Sequence, residues 1–219
     1  MMTHDIPPIG RRSLLTFAAT VFVAVIPWRP AAAETTDGAA ASAPIQQLDA
    51  ALLAAMKAGR STPFAQRFAA LTPVIEQTFD LDAVLAASIG LRWPDLPSDQ
   101  KQRLLAVFRR YTVASYTANF DNFTGQTFQI SPAARSVGNG EVVVQTKIIA
   151  ADGSSNQLDY VMRNGPSGWR AVDVLADGSI SHVAVQRSDF RHLLTSGGVP
   201  ALLGGLQQKV ANLSGGMLA

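Results

Sequence analysis

The stretch that decides the fold is residues 141–176, EVVVQTKIIAADGSSNQLDYVMRNGPSGWRAVDVLA. It contains three runs rich in β-branched and aromatic residues: EVVVQTKIIA, NQLDYVMRN and WRAVDVLA. Asp152-Gly153 lies between the first and second runs, and Gly165 to Gly168 between the second and third. Because such short, turn-forming connections join neighbouring antiparallel strands, the stretch predicts a β-meander.

One face of this predicted meander is apolar. Residues two apart in a strand point to the same side. The residues that share this face are Val142, Val144, Thr146 and Ile148 on the first run, and Leu158, Tyr160 and Met162 on the second. On the third run the same rule places Val172 and Val174 together, with Trp169, Ala171 and Leu175 opposite. A fourth run, QTFQIS, precedes the others and predicts one more strand.

Helical spacing of apolar residues dominates the chain on both sides of the sheet. It predicts a helix at 45–56, a second beginning at Pro63 with a kink at Pro73, and a third at 81–89 capped by Asp80. A long helix is expected at about 99–120, and two more at 183–194 and 200–213, separated by Gly197-Gly198. The predicted fold class is therefore α+β: a meander of about four strands wrapped by N- and C-terminal helices.

The N-terminus has the order of a bacterial export signal. Arg11-Arg12 precedes thirteen mostly apolar residues, and the small triplet Ala31-Ala32-Ala33 follows. We predict a signal peptide at 1–33, cleaved near Ala33, and a periplasmic location. The GRRSLLT run resembles a twin-arginine (Tat) signal, and an ordinary Sec signal fits equally well. Residues 34–44 predict a flexible lead-in, and residues 45–214 a single domain.

Composition excludes several classes of function. The chain of 219 residues has no cysteine, so disulfides, thiolate nucleophiles and cysteine-based metal sites are absent. Without residues 1–33, 15 basic and 15 acidic side chains remain, because 18 − 3 = 15 and 16 − 1 = 15. A nucleic-acid partner is not expected, since such proteins need an excess of positive charge. No permanent membrane span is expected after cleavage.

Polar candidates for catalysis or metal binding are few. His182 and His192, with Asp189 nearby, lack the spacing of a metal site, so no metal or other cofactor is expected. Asp80 and Asp82 fit helix capping better than a D-x-D motif. Asp173, among apolar strand residues, fits either a general base or a structural ion pair with Arg163 or Arg170.

The long predicted helix has an apolar sector wider than one contact requires, from Leu104 to Phe120. Two interpretations stay open: a filled core, or a cavity for an apolar ligand. The second predicts several hundred Å³ of apolar space between this helix and the sheet.

Three segments in order, FRRYTVASYTANFDNFTGQTFQI, LDYVMRNGPSGWRAVDVLADGSIS and QRSDFRHLL, resemble the MlaC family of periplasmic lipid-binding proteins. These are also called toluene-tolerance or auxiliary transport proteins, and within the family the chain resembles the hopanoid-associated HpnM-type members. The resemblance implies an NTF2-like or cystatin-like fold that holds lipid tails. It also implies a role in outer-membrane lipid asymmetry, by shuttling between an inner-membrane MCE/ABC transporter complex and an outer-membrane lipoprotein complex.

The resemblance also implies a set of lipid-binding residues and no catalytic ones. The implied pocket residues are Phe108, Tyr111, Tyr116, Phe120, Val144, Ile148, Tyr160 and Val172, with Leu85, Ile89 and Trp93 at the mouth. Arg109, Arg110, Arg187 and Arg191 are candidates for docking, or simply solvated. Two other functions stay open: an NTF2-like enzyme with Asp173 or a pocket tyrosine as base, and a non-catalytic envelope assembly factor.

Overall fold

The protein is described by a computed structural model, which covers residues 32–218. Within this range the helices are α1 (Ala32–Ala58), α2 (Phe64–Thr78), α3 (Leu81–Ile89), α4 (Ser98–Asn119) and α5 (His182–Ser214), with a 3₁₀ turn at Gly90–Arg92. The strands are β1 (Thr127–Ile130), β2 (Arg135–Gly138), β3 (Glu141–Ile149), β4 (Ser155–Gly165), β5 (Gly168–Ala176) and β6 (Ile180–Ser181). The predicted α+β order, helices then meander then helix, is confirmed.

The sheet is antiparallel, in the order β1-β3-β4-β5-β6, with β2 also paired to β3. It has six strands among the described residues where about four were predicted. The first addition arises because Pro132, which has no backbone N–H, lies between β1 and β2, and the two strands pair with successive parts of β3. The second arises because Asp177 and Gly178 turn the chain with positive φ of 50° and 70°, which returns β6 alongside β5.

Strand β5 carries a β-bulge at Val172. Val161 pairs with Asp173 and Met162 pairs with Ala171, so Val172 is one residue too many for the ladder. Residues after the bulge are therefore shifted by one position relative to strict alternation. The prediction that Val172 and Val174 lie on the same face of the sheet is therefore wrong.

The hydrophobic core lies between the helices and one face of the sheet. The face contributes Val144, Tyr160 and Met162, all fully buried. Helix α1 crosses this face and contacts β1, β3, β4 and β5. Helices α4 and α5 pack on each other and close the core from the outside.

The predicted flexible lead-in at residues 34–44 is corrected by the structure, which places these residues in α1. Ala41 is fully buried, and the Ser42 hydroxyl donates to the Gly38 carbonyl at 2.8 Å. Gly38 lies so close to Ala134 that a Cβ added there would be 3.4 Å away. The small side chains of this segment favoured a flexible lead-in when only the sequence was considered. In the structure they allow α1 to pack closely against its neighbours.

The sequence patterns that predicted a helix cap and a helix break agree with the structure. The Asp80 carboxylate accepts a hydrogen bond from the Ala83 amide at 3.0 Å, so the predicted cap of α3 is confirmed. Pro73 lies within α2 without splitting it. The break predicted at Gly197-Gly198 is also confirmed: both residues have non-helical φ and ψ, so α5 is two helices joined at a kink.

The predicted signal peptide lies outside the described residues, except for its last two. Among the described helices, none combines the length and the apolar character that crossing a bilayer requires.

Candidate functional site

A small cavity lies between α3, α4, the start of α5 and strand β5. Its volume is about 50 Å³. The wall is mostly apolar and contains no lysine or arginine. The lining residues are Phe79, Leu81, Val84, Phe108, Tyr111, Thr112, Ser115, Tyr116, Asp173, Val174, His182, Val183 and Gln186.

Helix α4 supplies the largest part of the wall. Its lining residues are Phe108, Tyr111, Thr112, Ser115 and Tyr116. These positions follow the i, i+3, i+4, i+7, i+8 spacing of a single helix face. The wide apolar sector recognised in the sequence therefore corresponds to the side of α4 that faces the cavity.

Aromatic rings fill most of the space beside the cavity. The Phe79 ring lies 5.6 Å from that of Tyr116 and 6.2 Å from that of Tyr160. The Phe108 ring meets Phe190 edge-on at 6.2 Å. Ligand sites usually span about 300–1000 Å³. The sequence predicted several hundred Å³ of apolar space between α4 and the sheet. This prediction is wrong for this conformation, because the aromatic side chains occupy that space.

The residues predicted to line a pocket fall into three groups. Phe108, Tyr111 and Tyr116 line the cavity. Leu85, Ile89, Val144 and Tyr160 are buried in the core around it. The remaining four, described next, lie at the periphery or on the other face of the sheet.

Phe120 stacks on Tyr116 with ring centroids 5.8 Å apart, at the end of α4. Ile148 is partly buried on β3 opposite Phe128. Trp93 is partly buried after the 3₁₀ turn, where the Lys101 ammonium lies 5.6 Å from its ring. Val172 is on the opposite face of the sheet, because of the bulge, in an open groove with Val143 and Val161. The structure therefore does not bring Val172 to the cavity.

Sequence reasoning missed several lining residues, notably Phe79, Val84 and Val174. Phe79 directly precedes the helix cap Asp80, and Val84 lies four residues after it. An apolar residue before the cap and another at the fourth helical position form the pattern of a hydrophobic staple. This pattern was the available signal for the first two. Val174 was hidden by the bulge, which no local pattern announced.

Asp173 is held by hydrogen bonds rather than by an ion pair. Its carboxylate accepts from the Val183 amide at 3.0 Å, from the Val174 amide at 2.8 Å and from the Ser181 hydroxyl. The predicted partners Arg163 and Arg170 are therefore wrong, and Arg163 instead bonds to Glu141. Because its oxygens are engaged at the start of α5, Asp173 has a structural task there.

The other polar candidates are dispersed. His182 reaches the cavity edge from the first position of α5, whereas His192 is exposed further along the same helix. Within residues 32–218, no three histidine or acidic side chains are grouped as metal ligands.

The arginines proposed for docking mostly contact the chain itself. Arg109 lies 3.6 Å from the Asp82 carboxylate, and Arg110 donates to the Leu218 carbonyl at 2.6 Å. Arg187 donates to the Ala87 carbonyl at 2.9 Å. Arg191 is exposed on α5. These contacts favour the interpretation that the first three stabilise the packing of neighbouring helices.

One buried acidic residue was not singled out from the sequence. Asp49 lies on the inner side of α1 and is 6% exposed, and among residues 32–218 neither of its carboxylate oxygens has a hydrogen-bond partner. Burial raises its pKa from 3.8 to about 7. Burial also raises the pKa of the neighbouring Tyr116 and Tyr160 hydroxyls above the usual value. Within the apolar core, these three side chains form a polar group.

Comparison with known proteins identifies a family and a solved structure of the same fold. The family model described as MlaC protein matches residues 46–208. Among solved structures, a phospholipid-binding protein from Ralstonia solanacearum, solved in complex with a phospholipid, has a TM-score of 0.68 and 22% sequence identity. The match covers 80% of this chain and 98% of that one. The structural likeness supports the NTF2-like arrangement of helices around an antiparallel sheet.

Proposed function

Since the chain belongs to the MlaC protein family, we propose that it is a non-catalytic lipid carrier of the periplasm. The observation that carries the proposal is the aromatic-lined cavity at the junction of α4 and the sheet, in a chain that matches the family model over most of its length. The phospholipid bound by the Ralstonia solanacearum protein, which shares the fold, supports the same class of ligand.

The carrier must open to take its cargo. A cavity of about 50 Å³ has too little volume for a lipid tail. Tyr111 and Tyr116 are only partly buried, so neither side chain is enclosed completely by the core. Rotation of these rings, together with a small outward shift of α4, would join the cavity to the surface. We therefore propose that the lipid tails displace the aromatic side chains.

Energetics decide what the cavity contributes to transport. Moving one methylene group from water into an apolar interior is worth about 0.8 kcal/mol, so tails inside the protein are held strongly against water. A bilayer is equally apolar, and the same transfer from a bilayer is worth almost nothing. Direction must therefore come from partners that bind the loaded and empty carrier differently.

The proposed partners follow from the family. They are an inner-membrane ABC transporter complex with an MCE-type subunit, and an outer-membrane lipoprotein complex. Delivery to the periplasm would use the signal peptide proposed at residues 1–33, by the Tat or Sec route. The cargo would be a phospholipid or a hopanoid-type lipid. A neutral lipid suits the zero net charge after cleavage and a cavity wall without lysine or arginine.

A second candidate is a non-catalytic assembly factor that uses the fold only for protein contacts. The filled space beside α4 favours it, since a solid core needs no cargo. The enzyme alternative has less support, because Asp173 is engaged in holding the start of α5.

Native mass spectrometry of the mature protein, released gently from the periplasm, tests the carrier proposal. We expect a co-purifying lipid that organic extraction removes. We also expect Ser115→Trp to reduce the lipid-bound fraction at least fivefold, because the indole would fill the cavity. Ser136→Trp is the matched control, since Ser136 is exposed on β2, and it should retain cargo.

Two results would count against the carrier. A wild-type protein that is always empty, and that binds no fluorescent fatty acid, would favour the assembly factor. Equal cargo in Ser115→Trp and wild type would show that the cavity beside α4 is not where lipid binds.

A further inference from the structure

Asp49 is a polar residue in a place where helices normally carry apolar ones. Its neighbours on the inner side of α1 are Ile45, Leu48 and Leu52, all fully buried. Both carboxylate oxygens are hidden from solvent and accept no hydrogen bond within the described part of the chain. A buried polar group without a partner is costly and uncommon in folded proteins, so this one requires an explanation.

Two tyrosines lie close enough to Asp49 for its charge to act on their hydroxyls. Tyr116 comes from α4 and Tyr160 from the centre of β4, and their hydroxyls interact with each other and with the Asp49 charge. Three elements that are far apart in sequence thus place one carboxyl and two phenols together. Neither tyrosine donates to Asp49, so the acceptor capacity of its carboxyl is unused.

Tyr116 also connects this polar group to the cavity. Its side chain is part of the cavity wall, and the Phe79 ring, another part of the wall, packs against both tyrosines. The same displacement of Tyr116 that would enlarge the cavity for a lipid tail would expose Asp49 to that tail. A lipid tail that took the place of Tyr116 would therefore approach Asp49.

We propose that Asp49, Tyr116 and Tyr160 form a recognition point for a hydroxyl group carried on the apolar part of the lipid. This inference rests on the proposed carrier function. A ligand hydroxyl would donate to a carboxyl oxygen of Asp49, which would give this buried acceptor the partner that it lacks. The same ligand oxygen could accept a hydrogen bond from a tyrosine hydroxyl. Purely hydrocarbon tails would leave Asp49 unpaired, so lipids with a hydroxyl should bind more tightly.

Competition binding tests this preference. The mature protein is loaded with a dansyl-labelled undecanoic acid, which is then displaced by stearic acid or by each member of a positional series of monohydroxystearic acids. We expect at least one hydroxylated isomer to bind about tenfold more tightly than stearic acid, which is the contribution of one or two buried hydrogen bonds. Asp49→Leu should reduce that ratio to about one without weakening stearic acid.

Two further variants sharpen the test. Asp49→Asn keeps an acceptor oxygen and should retain part of the preference. Asp37→Leu is the matched control: Asp37 is an exposed acidic residue on the same helix as Asp49, outside the cavity wall, and its replacement should leave the ratio unchanged.

The outcomes separate this inference from the carrier proposal. If stearic acid displaces the probe but no isomer binds better, or if the preference survives in Asp49→Leu, the recognition point is wrong and the carrier stands. If neither the probe nor any fatty acid binds, both are wrong. The wild-type series alone gives an answer even where a variant folds poorly.

Discussion

Two acidic regions inside this protein are built in opposite ways. At the start of α5, Asp173 accepts three hydrogen bonds, two from backbone amides and one from Ser181. On the inner side of α1, Asp49 accepts none from the residues that the structure describes, and it is more deeply buried. The first carboxylate holds two elements together, whereas the second weakens the packing around it.

The number of hydrogen bonds that a buried carboxylate accepts decides whether it stabilises or destabilises the folded state. A carboxylate that compensates its burial with hydrogen bonds contributes to folding, and its presence needs no further explanation. A carboxyl that is buried without partners must be tolerated for another reason, of which ligand binding is the one that the neighbouring tyrosines favour.

The largest effect that we expect concerns the pH dependence caused by Asp49. Its pKa is 3.8 in the unfolded chain and about 7 when folded, so the folded state binds the proton more tightly. The contribution of Asp49 to the free energy of unfolding is therefore most favourable below pH 4, falls between pH 4 and 7, and stays low above pH 7; the total change is about 4 kcal/mol at most. Tyr116 and Tyr160 do not ionise in this range, because burial raises their pKa.

Urea unfolding of wild type and Asp49→Asn across this range measures the effect. Only the difference between the two proteins is used, since other groups titrate in both. Asp49→Asn should have almost no effect on the free energy of unfolding at pH 4 and should clearly increase it at pH 8. A difference that does not change with pH would show that Asp49 is solvated or paired in solution.

Asp173→Ala should cost about 2–3 kcal/mol at neutral pH, because it leaves the Val183 and Val174 amides without their acceptor. Asp189→Ala is the control, on the helix α5 whose start Asp173 holds; the Asp189 ion pair with Lys209 is exposed and long, at 3.5 Å. It should cost less than about 0.5 kcal/mol. Equal losses in the two variants would remove the contrast between Asp173 and Asp49.

The smallest effect should come from Asp80→Ala, which removes the side-chain cap of α3. We expect a loss of about 1 kcal/mol in the free energy of unfolding. Asp99→Ala, in the first turn of α4, is a suitable comparison because Asp99 makes no capping bond there. If both changes are neutral, the hydrogen bond to Ala83 is not formed in solution.

Signals that depend on a few consecutive residues were predictable from the sequence. The cap at Asp80, the break at Gly197-Gly198 and the antiparallel meander follow from local chemistry, and the structure confirms all three. The cavity-facing side of α4 was also recognisable, because helical periodicity gathers its side chains on one face.

Features that depend on distant parts of the chain were not predictable. The burial of Asp49 requires α1, α4 and β4 to meet, and no pattern within α1 indicates that Tyr116 and Tyr160 will face it. The volume of the cavity beside α4 could not be predicted from the sequence either. Apolar content predicts that a core forms, but the volume left open depends on how Phe79 and Phe108 pack.

The bulge in β5 affects how relatives should be aligned with this chain. A homologue whose strand is regular has one residue fewer here, so an alignment needs a single gap at Val172 to keep equivalent positions together. Without that gap, Val174 would be matched to a side chain on the outer surface. Ligand contacts transferred between family members would then be assigned to the wrong side of the sheet for the rest of the strand.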